Sequence, residues 1–299
     1  MIMVMGACVI RGLVSAIVLA GCGRISFDAM ERDTPTTPDV PPALGPFGTP
    51  VQLAELDVGG ADDPALTWDE LEIMFSSDRA GGVGGCDVWT ARRPVVTASW
   101  SAAASAGVPL NGTGCDSGAM LSRDGLTVWI ARGGATTSDL FEAHRDTRTS
   151  PWQSPIALTA LSSGMSDSAP TVTADALTLM FHSNRSGSQR LYITTRASIV
   201  DPWTAPTLVG PLTTGVRERS PHLSADGTTL WFISNALGTQ DLWMASRPDR
   251  STPFGTPTVL TELSSADSED DPWISEDGHR IYFARYPTTG LGTLWIATR

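Results

Sequence analysis

The sequence predicts an all-β protein, a five-bladed β-propeller built from four-stranded antiparallel blades. Three observations support this prediction. A unit of about 51 residues recurs five times, each unit is divided into short strands by tight-turn signals, and the strands are apolar on both faces.

The period of the repeat can be measured on one bulky residue in the second strand of each unit. Successive copies of this residue are separated by 55, 51, 51 and 51 residues. The five copies are Met74, Trp129, Met180, Trp231 and Tyr282. Each third strand then ends in an arginine, at Arg93, Arg145, Arg196, Arg247 and Arg299. This regularity predicts one architecture for all five units.

Residues 220–247, SPHLSADGTTLWFISNALGTQDLWMASR, show how a single unit is built. The pair Asp226-Gly227 favours a tight hairpin, because both residues tolerate positive φ. The following stretch TLWFIS carries apolar side chains on both of its faces, which predicts a sheet covered on both sides. Blades that stack radially provide this cover, since each sheet packs against two neighbours.

An aromatic residue opens the fourth strand of each unit, and its spacing predicts how the ring closes. It recurs as Phe47, Trp100, Trp152, Trp203 and Phe254. The first copy precedes the first unit, while the fifth unit has none of its own within the sequence. We therefore expect the N-terminal strand in residues 46–56 to complete the last blade. Such pairing removes an open sheet edge.

The N-terminal segment is typical of a bacterial lipoprotein signal peptide over residues 1–21. Arg11 precedes an apolar run over residues 12–20, which is the layout of a secretory signal. The tetrad LAGC that ends at Cys22 resembles the lipobox, and this resemblance implies lipidation of the Cys22 sulfur. In the same resemblance, Gly23 in place of aspartate favours the outer membrane.

Residues 22–45 contain prolines 35, 38, 41 and 42 and few core-forming side chains. This composition predicts an extended tether between the lipidated cysteine and the propeller, which then covers residues 46–299.

The stretch SAPTVTADALTLMFHSNRSGSQRLYITTR, residues 168–196, resembles the WD-repeat-like propeller unit of TolB-type proteins. The resemblance covers residues 46–299 and implies a propeller of the cell envelope. The sequence departs from the pattern at Glu70 and Ala176, where a turn glycine is expected, and at Ala236, where a loop arginine is expected. TolB-type proteins also carry six blades and an α/β domain, and neither is evident in this chain.

The formal net charge of −12 argues against nucleic-acid binding, because a polyanion would be repelled. Cysteine usage is informative in an oxidising compartment. Cys86 falls between strands two and three of the first unit, and Cys115 falls before strand one of the second unit. Both loops emerge on the same face of adjacent blades, so we expect a Cys86–Cys115 disulfide.

Acidic residues precede or begin the first strands, where the loops converge on the channel mouth. They form a candidate rim of Asp62, Asp63, Asp116, Asp167, Glu218, Asp270 and Asp271. These acids could cap turns, or they could jointly bind Ca²⁺ or a basic segment of a partner. The sequence otherwise indicates no cofactor, since the four histidines have no metal-ligand spacing.

Two classes of function are compatible with this pattern. The first is a lipid-anchored binding or scaffolding module of the cell envelope, whose partner would be an envelope protein or peptide. The second is a five-bladed glycosidase or related carbohydrate-active enzyme, which would act on carbohydrate. The acids recur between units, whereas catalytic carboxylates should break the repeat, and no Gly-x-Ser-x-Gly motif is present. The sequence therefore favours a non-enzymatic binding module.

Overall fold

The structure is a computed structural model, and it describes residues 44–134, 137–210, 212 and 217–299. The predicted signal peptide, Cys22 and residues up to 43 of the predicted tether lie outside the described residues. All named secondary-structure elements in the described part are β-strands. No helical segment there has the length and apolar character needed to cross a bilayer.

Twenty strands form five antiparallel sheets of four strands each, which confirms the predicted five-bladed propeller. The N-terminal strand is β1 (Val51–Gln52). Blade 1 contains β2 (Asp62–Leu66), β3 (Glu72–Ser77), β4 (Asp87–Arg92) and β5 (Ala104–Ser105). Blade 2 contains β6 (Cys115–Leu121), β7 (Thr127–Gly133), β8 (Ser138–His144) and β9 (Ile156–Ala157).

The remaining blades repeat this order. Blade 3 contains β10 (Asp167–Val172), β11 (Thr178–Ser183), β12 (Arg190–Thr195) and β13 (Thr207–Leu208). Blade 4 contains β14 (Glu218–Leu223), β15 (Thr229–Ser234), β16 (Asp241–Ser246) and β17 (Thr258–Val259). Blade 5 contains β18 (Ser268–Ile274), β19 (Arg280–Tyr286) and β20 (Thr293–Thr298).

The N-terminal strand closes the ring by completing blade 5, as the repeat phase predicts. The strand order in this sheet is β1-β20-β19-β18, with Val51 opposite Ile296. Two further backbone hydrogen bonds extend the pairing, from Gly48 N to Thr298 O and from Leu53 N to Leu294 O, both at 2.8 Å. The outer edge of β20 is therefore covered rather than open.

The hairpin between the first and second strands keeps the same conformation in every blade, including the two blades that lack a turn glycine. Glu70 and Ala176 adopt φ values of 56° and 53°, close to the 72–74° of Gly125, Gly227 and Gly278. A non-glycine residue pays for this conformation in backbone strain. At Glu70 the surroundings offset that cost, because its carboxylate pairs with Arg280 at 2.6 Å and accepts a hydrogen bond from the Tyr282 hydroxyl at 2.9 Å.

The arginine that immediately follows each third strand has the same two contacts in all five blades. Its Nε donates, at 2.7–2.9 Å, to the backbone carbonyl of the hairpin residue that has positive φ. These acceptors are Glu70, Gly125, Ala176, Gly227 and Gly278. The guanidinium of the arginine lies 4.1–4.3 Å from the centroid of the aromatic ring that opens the fourth strand. This stack ties the third strand of each blade to the segment that leads into the outer strand.

Candidate functional site at the channel mouth

The upper face of the propeller carries the loops that enter each inner strand and the loops that join the second and third strands. A register shift interrupts the pairing of all five inner strands near this face. The residue at each shift has positive φ, between 47° and 58°. These left-handed residues are Asp63, Gly118, Ala169, Ser220 and Asp271. The bulges therefore place five equivalent residues around the channel.

The structure separates the seven candidate acids into two groups. Three of them, Asp116, Asp167 and Glu218, lie three residues before the proline position of their inner strands and are fully or almost fully buried. Asp116 pairs with Arg132 at 2.5 Å, Asp167 with Arg185 at 2.7 Å, and Glu218 with Arg190 at 3.5 Å. These acids form a recurring structural column rather than an open rim.

Glu269 is the fifth-blade member of the same structural column, although it was not among the acids predicted from the sequence. It is buried and pairs with Arg285 at 3.0 Å. The run Ser-Glu-Asp-Asp-Pro contains three consecutive acids, and alignment on Pro272 would have identified Glu269 as the equivalent of Asp167. In blade 1 the same position is Ala61, so the column has no acid there.

The other four acids, Asp62, Asp63, Asp270 and Asp271, break the repeat and come from blades 1 and 5. Their equivalents in blades 2 and 3 are serine, glycine and alanine. Asp270 is buried, and its carboxylate pairs with Arg219 of blade 4 and accepts a hydrogen bond from the Asp271 amide at 3.0 Å. Both of its oxygens are therefore occupied within the protein.

Asp62, Asp63 and Asp271, here called the mouth triad, each keep one carboxylate oxygen without a hydrogen bond to the described residues. Asp62 Oδ2 accepts from the Tyr286 hydroxyl at 2.6 Å. Asp63 Oδ2 accepts from Ser76 Oγ at 2.9 Å and Gly118 N at 3.0 Å. Asp271 Oδ1 accepts from Ser220 Oγ at 2.6 Å. These bonds orient the three carboxyl groups and leave three oxygens for a ligand.

The mouth triad is also electrostatically strained. Burial raises the pKa of Asp62 to about 7, and repulsion from Asp271 adds to the effect. Burial, followed by repulsion from Asp271 and Asp62, raises the pKa of Asp63 well above its usual range. The pKa of Tyr286 is raised by burial and then by the neighbouring acids, so its hydroxyl stays protonated and available to donate. A cation placed among these carboxyl groups would relieve their repulsion.

Asp63 and Asp271 of the mouth triad line a pocket of about 640 Å³ on the upper face. Asp63, Asp271 and Tyr286 line one side, while Arg219 and His182 contribute further polar walls. Burial lowers the pKa of His182 to about 3, so this imidazole is neutral at physiological pH. The pocket is therefore lined by several acidic groups and by a single arginine, which is already paired with Asp270.

Cys86 and Cys115 are joined by a disulfide on the same face, with their Cα atoms 4.4 Å apart. The bond links the loop after the second strand of blade 1 to the first residue of β6 in blade 2. Both cysteines line a second pocket of about 350 Å³, together with Asp62, Asp63 and Tyr286. The disulfide thus fixes one wall of the mouth.

Among the described residues, no three or more His, Cys, Asp or Glu side chains are arranged to hold a metal ion. Tyr286 and Arg219, which orient two of the acids, were not identified from the sequence. Their signal was weak, because each departs from its repeat column without belonging to a recognisable motif.

No protein-family model matches the chain, and no curated protein sequence matches it either. Solved structures do match. TolB from Acinetobacter baumannii has a TM-score of 0.52 at 16% identity, over 80% of this chain and 54% of that one. A putative TolB from Agrobacterium tumefaciens has a TM-score of 0.53 at 14% identity, over 84% and 85% of the two chains. This chain therefore spans about half the length of the Acinetobacter protein.

Glycosidases share the fold as well. The α-L-arabinofuranosidase PaAbf62A from Podospora anserina, solved with cellotriose, has a TM-score of 0.55 at 10% identity, over 81% of this chain and 91% of that one. The RS223 β-xylosidase has a TM-score of 0.56 at 14% identity, over 83% and 94%. At identities this low, the matches show only that the chains share a propeller fold. That fold occurs both in TolB proteins and in glycosidases.

Proposed function

We propose that the protein is a non-enzymatic binding module of the bacterial cell envelope, whose channel mouth captures a cationic group of an envelope protein or peptide. The observation that carries this proposal is the mouth triad. Asp62, Asp63 and Asp271 break the repeat, repel one another and each keep an unused oxygen at the mouth, where Asp63 and Asp271 line the 640 Å³ pocket and Asp62 lines the 350 Å³ pocket.

A lysine or arginine side chain fits this arrangement chemically. Each unused carboxylate oxygen can accept a charge-assisted hydrogen bond, and the ligand's positive charge would offset the repulsion within the triad. Because the pKa of Asp62 is raised to about 7, capture of a cation near neutral pH would release protons. Binding is therefore expected to tighten as the pH rises through 7.

The envelope location rests on the sequence before the propeller and on the structural neighbours. The LAGC tetrad supports lipidation of Cys22, and Gly23 supports retention at the outer membrane. TolB proteins among the structural neighbours support the same compartment. In this proposal the tether holds the propeller away from the membrane.

The proposal is tested with a hexa-arginine peptide and the mature protein, by calorimetry at pH 6 and pH 8. The triple variant Asp62→Asn, Asp63→Asn, Asp271→Asn should bind at least about tenfold more weakly and lose most of the salt dependence. A matched variant with the same charge change, Asp146→Asn, Asp201→Asn, Asp249→Asn, alters exposed acids elsewhere on the propeller. It should bind like the unmodified protein. Equal binding by the two triple variants would reject the proposal.

Crosslinking in envelope membranes then identifies the natural partner. A photo-crosslinker placed at Thr288, which lines the pocket, should capture a protein with a basic segment. The mouth-triad variant carrying the same crosslinker should lose that product.

A glycosidase is the second candidate, and two observations favour it. The mouth triad breaks the repeat, as is expected of catalytic carboxylates. Asp62 has a pKa raised to about 7 beside a carboxyl group from another blade, and protonated and ionised carboxyl groups in one site are the elements of glycosidic hydrolysis. A screen of polysaccharides and aryl glycosides tests this alternative. Turnover that is lost in single Asp62→Asn or Asp63→Asn variants would establish the enzyme and replace the binding proposal.

A further inference from the structure

The lower face, which carries the hairpin turns between first and second strands, has an open groove between blades 2 and 3. The groove encloses a pocket of about 430 Å³. Its walls include Asp124 and Trp129 from blade 2, and Arg196 and Ile199 from blade 3. It is remote from the mouth triad, which lies at the other ends of the inner strands.

The equivalent groove between blades 1 and 2 is closed by two ion pairs. Arg145 of blade 2 binds the Glu72 carboxylate of blade 1 in bidentate fashion, at 2.9 and 2.7 Å. Arg148 of blade 2 pairs with Asp69 in the hairpin of blade 1. Both carboxylates are thus neutralised within the protein.

Both closing residues are replaced in the groove between blades 2 and 3. The repeat places Thr127 at the position of Glu72 and Ile199 at the position of Arg148. The groove therefore lacks one carboxylate and one guanidinium that its neighbour supplies.

The residues that these two side chains would pair with are nevertheless present, as Arg196 and Asp124. Arg196 keeps the contacts of Arg145, with Nε donating to Ala176 O at 2.8 Å and the guanidinium 4.2 Å from the centroid of the Trp203 ring. Its two Nη groups make no hydrogen bond to any described residue. Asp124 Oδ1 accepts from Ser122 Oγ at 2.6 Å and Leu126 N at 2.9 Å, while its Oδ2 has no partner among the described residues.

The groove between blades 3 and 4 lacks the equivalent of Glu72 but keeps the equivalent of Arg148. Its hairpin aspartate therefore still has an ion-pair partner. Thr178 replaces the acid there too, but Arg250 pairs with Asp175 of the neighbouring hairpin at 2.7 Å. Among these three grooves, the simultaneous loss of both closing residues is a property of the one between blades 2 and 3.

The other charged groups of the pocket are already engaged. Glu142 accepts from Trp129 Nε1 at 2.7 Å and contacts His144 Nε2 at 3.0 Å. Arg123 pairs with Glu276 at 2.9 Å. Arg148 donates to the backbone carbonyl of Asp124 at 2.9 Å, but its ion pair is with Asp69. Glu142 contributes negative potential near Arg196 without forming an ion pair with it.

We propose that this groove binds a small zwitterion that carries a carboxylate and an ammonium or guanidinium group on a short aliphatic chain. The carboxylate would occupy the place that Glu72 fills in the neighbouring groove and bind the Arg196 Nη groups. The cationic group would occupy the place of Arg148 and bind Asp124 Oδ2. Ile199 and Ala176 supply apolar surface for the chain between the two charges.

The probe is 4-guanidinobutyrate, because it carries both a carboxylate and a guanidinium group, and its binding is measured by calorimetry and ligand-observed NMR. Butyrate and butylguanidinium each lack one group and should bind at least about tenfold more weakly. Arg196→Gln and Asp124→Asn should each cause a similar loss. Asp62→Asn alters the upper face and should leave binding of the probe unchanged.

The double variant Thr127→Glu, Ile199→Arg builds the two closing residues into the groove. It should abolish probe binding and raise the melting temperature, while binding of hexa-arginine at the upper face stays unchanged. This variant remains informative if Arg196→Gln fails to fold. Binding of the probe by the double variant, or no binding by the unmodified protein at about 10 mM probe, would overturn the proposal.

Discussion

The guanidinium of Arg299 lies 4.2 Å from the centroid of the Phe47 ring, which joins residues from the two ends of the propeller. The same stack occurs inside a continuous blade between Arg247 and Phe254, also at 4.2 Å. The N-terminal segment therefore reproduces in blade 5 the contact that a blade's own chain supplies elsewhere.

Deletion of residues 46–58 should lower stability severely, because it removes β1 and the Phe47 stack and exposes the edge of β20. The milder variant Phe47→Ala should cost about 3 kcal/mol, as should its matched control Phe254→Ala, since both remove a buried ring. Urea denaturation measures all three. A deletion variant that unfolds together with the full-length protein would refute closure by the N-terminal strand.

The buried acids and the mouth triad should respond in opposite ways to the same substitution. Asp167→Asn leaves Arg185 without its buried carboxylate and should cost about 3 kcal/mol of unfolding free energy. Asp271→Asn keeps an oxygen for Ser220 and removes a repelling charge, so it should leave stability unchanged or raised. Thermal unfolding at pH 8 compares them, and a larger loss for Asp271→Asn would contradict this division.

The raised pKa of Asp62 makes its effect on stability depend on pH. In the unfolded chain this group ionises near its ordinary pKa of 3.8, whereas in the folded protein it holds its proton up to about pH 7. The contribution of this protonated carboxyl group to the free energy of unfolding is fully present below pH 4 and is lost as the pH rises to 7. Asp62→Asn should therefore melt about 3–6 °C above the unmodified protein at pH 8, with the gap shrinking toward pH 4. A gap independent of pH would contradict the assignment.

The Cys86–Cys115 disulfide should contribute a few kcal/mol, because it closes a loop with a sequence separation of 29 residues. The variant Cys86→Ser, Cys115→Ser should melt lower than the oxidised protein and match the reduced unmodified protein. Thiol labelling under denaturing conditions, read by mass spectrometry, should find neither cysteine free in protein isolated without a reducing agent. Two free thiols would show that the bond does not form in the cell.

The fold could be predicted from the sequence because its signals are periodic. Strand position, turn chemistry and bulky core residues recur in register, so one unit supports the interpretation of the next. The closing strand was predictable for the same reason, since Phe47 occupies a recognisable phase of the repeat. The departures from the turn pattern at Glu70 and Ala176 do not obscure the repeat, because the other units keep the turn glycine. The structure accommodates both residues in the usual turn conformation.

The candidate site was less predictable because it lies where the repeat is broken. Asp167 and Asp271 follow equivalent loops, so their place after a loop does not distinguish them. Asp167 is a buried ion-pair partner, whereas Asp271 faces the pocket. The acids of the structural column lie three residues before the proline position, and those of the mouth triad lie one or two residues before it. The bulge that gives these neighbouring positions different surroundings is a feature of the backbone, which the sequence pattern does not indicate. The contacts of Tyr286 with Asp62 link blades 5 and 1, so no local pattern in either unit indicates them.

The five left-handed bulge residues also bear on how this fold can acquire new activities. Aspartate, serine, alanine and glycine all occupy the position with φ values within about 11° of one another, so the backbone does not change with the side chain. Gly118 is the constrained member, since a Cβ there would lie 3.1 Å from the backbone N and Cα of Ala169. At the other four positions, a single-codon change could exchange an acid for a hydroxyl or a methyl group without rebuilding the ring. Evolution could in this way change the chemistry of the channel mouth while the architecture of the ring stays constant.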